Sequence, residues 1–244
     1  MFVIAMAGLS SRFFKAGYDV PKYQLMLAGE TVFAHALKSF ERYFTSDLFV
    51  IILRDVYESK AFVEAQMQAL AIKNYVLVVL DKETEGQAET IYLALQQLPD
   101  KQDEPLYIFN IDTFRYDFVK PDFALACDGY IEVFQGEGEH WSFVEPTGDN
   151  DVARTTEKER ISDLCSDGLY YFASNALFRH YFEQMKNRNL YVKNELYVAP
   201  MYNLLLADGK VVKYDLIAPD AIDFCGTPSE YEALLAHGLK RTTA

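Results

Sequence analysis

Phe2-Val3-Ile4-Ala5-Met6-Ala7-Gly8-Leu9-Ser10-Ser11-Arg12, followed by Pro21-Lys22, decides how this chain is read. The apolar run Phe2 to Ala7 predicts a short buried strand. It stops at Gly8, and the small residues that follow let backbone N–H groups approach a ligand closely. Arg12, Lys15 and Lys22 then place cations just beyond the strand of an otherwise acidic chain. Such an arrangement suits a polyphosphate, although by itself it also suits a basic surface turn. Two better-known phosphate loops do not fit: G-x-x-x-x-G-K-[ST] is absent, and Gly8-Leu9-Ser10 lacks the further glycines of G-x-G-x-x-G.

Working outward, Tyr23 to Leu27 leads into a tight turn at Ala28-Gly29-Glu30. A helix is expected from about Thr31, with Val32, Phe33, Ala36, Leu37 and Phe40 on one face. Leu48 to Leu53 and Tyr75 to Leu80 are continuous apolar runs, as for strands covered on both faces of a parallel sheet. Between them, residues 57–72 predict a helix. Ala88, Ile91, Tyr92, Leu95 and Leu98 are spaced for another helix stopping at Pro99, and Leu106 to Ile111 predicts a strand ending at Asp112. Alternating strands and helices imply right-handed βαβ units and an α/β fold: an open, mostly parallel, Rossmann-like sheet flanked by helices. Ligands of such sheets sit at the carboxyl ends of the strands. The Gly8 loop, Glu85-Gly86-Gln87 and Asp112 all fall near positions of that kind.

From about residue 128 the pattern changes to an antiparallel subregion. Tyr130 to Gln135 and Trp141 to Glu145 alternate between turns, and Gly168 to Ala173 predicts a further strand. Ser174 caps a helix carrying Leu177, Phe178, Tyr181, Phe182 and Met185. A helical stretch is expected over about 195–208, closed by Gly209, then a strand over Val211 to Ile217. Thr227-Pro228-Ser229-Glu230 is a capping box with Pro at the first helical position. No repeat or linker interrupts the chain. The expectation is one domain, 1–244, with a nucleotide-binding part (1–127) and an acceptor-binding part with the C-terminal helices (128–244).

With 244 residues, half of them hydrophobic, and with 17 Tyr and 18 Phe, the chain can bury a sizeable core. A formal net charge of −13 argues against non-specific binding of nucleic acid or anionic membrane surfaces. Cys127, Cys165 and Cys225 are far apart, which suits no disulfide framework and suggests a reducing cytoplasm. The first apolar run is too short for a signal peptide's core, and no stretch is long enough for a membrane span. The histidines are scattered without metal-ligand spacing. Two carboxylates stand out instead. Asp112, just past a strand, could hold Mg²⁺ against phosphate oxygens, and Asp223 lies just before a helix start. Either residue, taken alone, also suits an ordinary turn.

The opening stretch resembles the signature of the sugar-phosphate nucleotidyltransferases, the nucleoside-diphosphate-sugar pyrophosphorylases: A-G-x-G-x-R with P-K about ten residues on. Here it reads Ala7-Gly8-Leu9-Ser10-Ser11-Arg12 and Pro21-Lys22, with Ser10 in place of the second glycine. The resemblance extends over about residues 2–235. It implies the nucleotide-diphospho-sugar transferase type of fold, with Ala7, Gly8, Ser10 and Ser11 around the nucleotide and Gly86-Gln87-Ala88 at its base. It implies Asp112 and Asp223 as joint ligands of a catalytic Mg²⁺, although Asp223-Phe224-Cys225-Gly226-Thr227 has one residue more than the family's D-x-G-T. Glu157-Lys158 resembles the E-K pair whose lysine meets the acceptor phosphate, with Glu159 where the family has proline. Gly168 opens a matching strand, and Asn194-Glu195 resembles the segment that holds sugar hydroxyls.

The implied reaction needs no nucleophile triad. An acceptor phosphate oxygen attacks the α-phosphorus of a nucleoside triphosphate and pyrophosphate leaves, so charge neutralisation and alignment are what is required. Arg12 would face the β,γ-phosphates and Lys22 the α-phosphate. The partners implied are a nucleoside triphosphate and a phosphorylated small molecule, with a homo-oligomer left open and polysaccharide assembly as the implied pathway. Two other enzymes fit less directly: a cytidylyltransferase for a small non-sugar phosphate such as phosphocholine, and a glycosyltransferase, which would usually show D-x-D where this chain has Asn110-Ile111-Asp112. A regulatory module would be expected to have lost Arg12, Lys22, Asp112 or Asp223, and all are present.

Overall fold

The computed structural model describes residues 1–241. In chain order the elements are β1 (Phe2–Ala5), α1 (Ser11–Lys15), β2 (Met26–Leu27), β3 (Glu30–Thr31), α2 (Val32–Lys38), β4 (Phe49–Leu53), α3 (Ser59–Ala69), β5 (Tyr75–Val79), α4 (Gln87–Leu95), β6 (Leu106–Asn110) and β7 (Thr113–Arg115). There follow β8 (Gly129–Gln135), β9 (Ser142–Thr147), β10 (Asp151–Glu157), β11 (Leu164–Phe172), α5 (Asn175–Asn187), α6 (Tyr202–Ala207), β12 (Val212–Ile217), β13 (Ile222–Phe224) and α7 (Pro228–His237). The fold is α/β with a mixed sheet. No helix among the described residues is long and apolar enough to cross a membrane.

These residues pack as two compact units, each assembled from three separated segments. Unit 1 takes Met1–Val3, Thr84–Phe109 and Lys120–Pro219; unit 2 takes Ile4–Glu83, Asn110–Val119 and the chain from Asp220 on. The dividing line passes through β1.

Unit 2 holds β4 and β5 of the part read as parallel, whereas α4 and all but the last residue of β6, read with them, belong to unit 1. β4 and β5 pair in parallel, from Phe49 opposite Tyr75 to Leu53 opposite Val79, and the Met6 N–H donates to the Ile52 carbonyl at 2.8 Å. All of β4 is buried, as its unbroken apolar run predicts. β5 differs from expectation. It ends the strand order β5-β4-β1, so Tyr75, Val76 and Leu77 are half-buried and Val79 is exposed. The turn at Ala28-Gly29 joins β2 to β3, and the Thr31 hydroxyl caps α2 by accepting the Ala34 N–H at 3.0 Å. β7 and β13 form a short antiparallel pair. The Thr227–Glu230 capping box then starts α7 with Pro228 in its first turn.

Unit 1 holds the antiparallel part, in the order β6-β11-β8-β12-β10-β9 with the start of β1 beside β6. β11 runs antiparallel to β6 and β8, and β12 is parallel to β8. Only the second half of β11 is evident in the sequence. A bulge between Ser166 and Tyr170 separates the halves, with Gly168 at φ +98°. The expected helix over 195–208 is shorter: Ala199–Met201 is a 3-10 turn and α6 begins at Tyr202. Pro200 disfavours helix in the residue before it, and the Leu196 main chain is bonded elsewhere, as described below. Ser174 caps α5 as expected, accepting the Leu177 N–H at 3.1 Å.

Tyr202 is fully buried, and its hydroxyl hydrogen-bonds the carbonyls of Tyr130 at 3.0 Å and Tyr171 at 2.8 Å. Those residues face each other across β8 and β11, so one side chain of α6 pins two strands of the core. Tyr202→Phe should therefore cost about 2 kcal/mol, since buried acceptors lose a partner, readable as a lower urea midpoint at unchanged slope.

Candidate active site

Unit 2 gathers the signature residues. Beyond β1, Ala7 is half-buried while Gly8 and Ser11 are exposed. Ser10 adopts a left-handed backbone, and its hydroxyl accepts the Lys22 N–H at 3.2 Å. This bond ties the loop to Pro21-Lys22. The Lys22 ammonium lies 2.5 Å from Asp112 Oδ2, the two side chains being 20% and 23% exposed. Arg12 is exposed and, among the described residues, makes no ion pair.

The loop before α7 completes the surroundings of Asp112. The Asp112 carbonyl accepts the Cys225 N–H at 2.7 Å, and a Cβ built on Gly226 would lie 2.9 Å from Asp112 Oδ2. Only glycine leaves that space. Burial pushes the Cys225 thiol up to about 12, the Asp112 charge adding to it, so it stays a neutral thiol. Asp223 is nearly fully buried and is turned to other partners. Its Oδ2 accepts the Tyr116 hydroxyl at 2.6 Å and the Lys240 N–H at 2.8 Å, and the Lys240 ammonium is 3.8 Å from Oδ1. Burial and the bond to Asp223 together raise the Tyr116 pKa. Among the described residues no three His, Cys, Asp or Glu side chains are grouped to hold a metal. A magnesium ion that takes most of its ligands from phosphates and water needs only one or two carboxylates. Asp112 fits that role once Lys22 releases its Oδ2; Asp223 fits only after release from Tyr116 and Lys240.

Unit 1 gathers the others. Gly86 has φ +139°, a region reserved for glycine, and a Cβ on it would meet the Leu196 carbonyl oxygen at 2.5 Å. Two main-chain bonds close the contact: Leu196 N–H to the Glu85 carbonyl at 2.7 Å, and Ala88 N–H to the Leu196 carbonyl at 3.0 Å. Gly86 and Gln87 are thereby joined to the Val192–Glu195 turn, which exposes Asn194 and Glu195. Lys158 reaches the same stretch, hydrogen-bonding the Tyr197 hydroxyl and lying 4.2 Å from the centre of its ring. Glu157 beside it is buried and hydrogen-bonded by Ser142; burial raises its pKa, opposed by that bond and by Lys158. Gly168 stands apart, buried in the β11 bulge. The sequence singles out Gly86, Gln87 and Lys158, with Leu196 and Tyr197 only as the end of the segment opened by Asn194-Glu195; nothing in it signals that the Leu196 main chain closes on Glu85 and Ala88 or that Tyr197 meets Lys158.

No family model matches the chain, and no curated protein matches it. Among solved structures, a nucleoside-diphosphate-sugar pyrophosphorylase from Vibrio cholerae RC9 shares 44% identity over 97% of this chain and 100% of its own, with a TM-score of 0.93. A Bacillus anthracis protein assigned as a glucose-1-phosphate thymidylyltransferase, solved with sucrose, superposes with a TM-score of 0.80 at 16% identity, covering 100% of this chain and 96% of its own. The inositol-1-phosphate CTP transferase of T. maritima does so at 0.74 and 15%, covering 100% and 97%. The last two likenesses are of fold.

The Gly86 contact makes a stability prediction. Gly86→Ala should cost about 3 kcal/mol, combining backbone strain with collision against main chain. Gly148→Ala, also at positive φ but with open space around it, should cost about 1 kcal/mol. Urea denaturation of the two variants compares them; equal losses would mean that the Leu196 contact is not a constraint.

Proposed function

We propose, since this chain belongs to the nucleoside-diphosphate-sugar pyrophosphorylase family of nucleotidyltransferases, that it transfers a nucleotidyl group from a nucleoside triphosphate to a sugar phosphate and releases pyrophosphate. The observation that carries this reading is the meeting of Lys22 with Asp112, ninety residues apart in the chain, beside the loop of Gly8, Ser10, Ser11 and Arg12. A cation and a carboxylate at these positions are what a triphosphate and its magnesium ion require.

In the reaction a phosphate oxygen of the acceptor forms a bond to the α-phosphorus while the bond from that phosphorus to the β-bridging oxygen breaks. The nucleophile is already anionic, so no base has to remove a proton. Arg12, exposed and without an ion pair among the described residues, is available to the β,γ-phosphates that leave. Lys22 exchanges Asp112 for the α-phosphate, where charge builds in the transition state. Asp112 is then free for Mg²⁺, with Asp223 as a second carboxylate if it leaves Tyr116 and Lys240. When bound, Mg²⁺ screens the phosphate oxygens and orients the triphosphate. Ala7, Gly8, Ser10 and Ser11 offer backbone and hydroxyl groups to the nucleotide, Gly86 and Gln87 meet its base, Lys158 takes the acceptor phosphate, and Asn194 and Glu195 suit its hydroxyls. Gly168 serves through the bulge in β11 rather than by contact. We place the reaction in the cytoplasm, where its product supplies polysaccharide assembly.

Pyrophosphate release with Mg²⁺ tests this directly, crossing CTP, UTP, dTTP, GTP and ATP against sugar 1-phosphates and small alkyl phosphates. One triphosphate and one sugar phosphate should be required together. Asp112→Ala and Lys22→Ala should each lower kcat by about 10²–10³, and Gly226→Ala should lower it through displacement of Asp112. Turnover only with alkyl phosphates would redirect the acceptor to a non-sugar class. Binding of a triphosphate with no release for any pairing would defeat the mechanism.

A further inference from the structure

The turn bearing Gly86 and Gln87 is gripped by side chains that the reaction above does not use. Lys186, near the end of α5, hydrogen-bonds Glu85 Oε2 and lies 3.0 Å from Glu89 Oε1. The Tyr191 hydroxyl donates to the same Glu85 oxygen at 2.6 Å. Glu89 Oε2 accepts the Glu85 N–H at 2.6 Å, and the Thr90 hydroxyl donates to the Gly86 carbonyl at 3.1 Å. With the Leu196 N–H on its carbonyl, Glu85 is held at its N–H, its C=O and its carboxylate.

A single exposed ion pair contributes little. Here one ammonium is shared by two carboxylates that flank Gly86, a tyrosine fixes one of them, and the partners come from residues 97 to 106 positions away. Such a network defines a geometry rather than adding a loose attraction. The backbone it encloses needs defining, because a turn like that at Gly86 persists only when its surroundings over-determine it. Burial lowers the Lys186 pKa, but the bonds to Glu85 and Glu89 more than reverse this. Lys186 in turn holds Glu85 below the usual carboxylate range. Lys186 and Glu85 therefore both stay charged across neutral pH.

We propose that Lys186 is a positioning residue for the nucleotide: together with Glu85, Glu89 and Tyr191 it clamps the Gly86–Gln87 turn in its receiving shape before the triphosphate arrives. The inference rests on the assignment of Gly86 and Gln87 to the nucleotide. Without the clamp the turn samples other shapes, and apparent affinity falls by the fraction of molecules that stay competent.

The test compares wild type, Lys186→Met and Lys186→Arg in the full chain. Amide hydrogen exchange over residues 85–89 is measured without nucleotide, and binding of Mg²⁺ complexes of CTP, UTP, dTTP, GTP and ATP by calorimetry. Lys186→Met should exchange faster at these amides and raise Kd and KM for the productive triphosphate about tenfold, with kcat and the acceptor KM near wild type; Lys186→Arg should restore most of this. Should Lys186→Met fold poorly, Glu89→Gln weakens the same network and should shift exchange and triphosphate Kd the same way. Unchanged exchange in a folded variant overturns the clamp, whether or not the protein is an active transferase. Faster exchange with unchanged triphosphate affinity also overturns it. Faster exchange in a protein whose wild type binds none of the triphosphates instead removes the nucleotide assignment on which the clamp depends.

Discussion

The ion pair between Lys22 and Asp112 is the interaction around which unit 2 is arranged. Both side chains are mostly withdrawn from water, and a charge in that position is costly unless it is paired. The local main chain holds both ends: the Ser10 hydroxyl takes the Lys22 N–H, and the Cys225 N–H binds the Asp112 carbonyl. A substrate that separates the two must offer each a replacement, an anion for lysine and a cation for aspartate. A magnesium-bound polyphosphate does both at once, and neither a free anion nor a free metal ion does. The net charge of −13 sharpens the requirement, since the distant field repels anions and only the near field of Arg12, Lys15 and Lys22 attracts them.

Much of this was legible in the chain because each signal had a single physical cause. The unbroken apolar run of β4 reads as a buried strand and is one, and the Thr227–Glu230 box fixes the start of α7 to the residue. The signature loop drew notice as a cluster of cations in an acidic chain, whereas Asp112, one acid among many, gained weight only through the family resemblance. What escaped was set by tertiary context. β5 has as apolar a sequence as β4 yet ends its strand order, a fact that periodicity does not encode. Leu196 to Val198 have helical composition, but Leu196 spends its main-chain groups on Glu85 and Ala88. β10 passed unread because Arg154, Thr155 and Thr156 give it little apolar alternation. Lys186 looked like any solvated lysine near a helix end, and Asp223 showed its spacing but not its commitment to Tyr116 and Lys240.

Glycines mark where these constraints are tightest. At Gly226 the missing side chain makes room for a carboxylate, and at Gly86 it lets one main chain lie directly against another. The first admits an oxygen of Asp112 and concerns charge. The second admits a carbonyl of Leu196 and concerns shape. An added methyl at Gly226 would have to displace the Asp112 carboxylate, and one at Gly86 would meet both an unfavourable backbone conformation and the Leu196 main chain.

The interleaving of the two units bears on how the protein is born. The ribosome delivers the chain from its N-terminus, and unit 1 has all its residues once Pro219 has emerged. Unit 2 has its longest segment, Ile4 to Glu83, made before most of unit 1, yet it still awaits β13 and α7, so its early segment is completed late. Until then the loop of Gly8 and Arg12 has no Gly226 beside Asp112, and an unfinished chain carries the signature without the socket. A premature stop after Pro219 would leave β7 without its partner strand and Asp112 without the Cys225 N–H that holds its carbonyl.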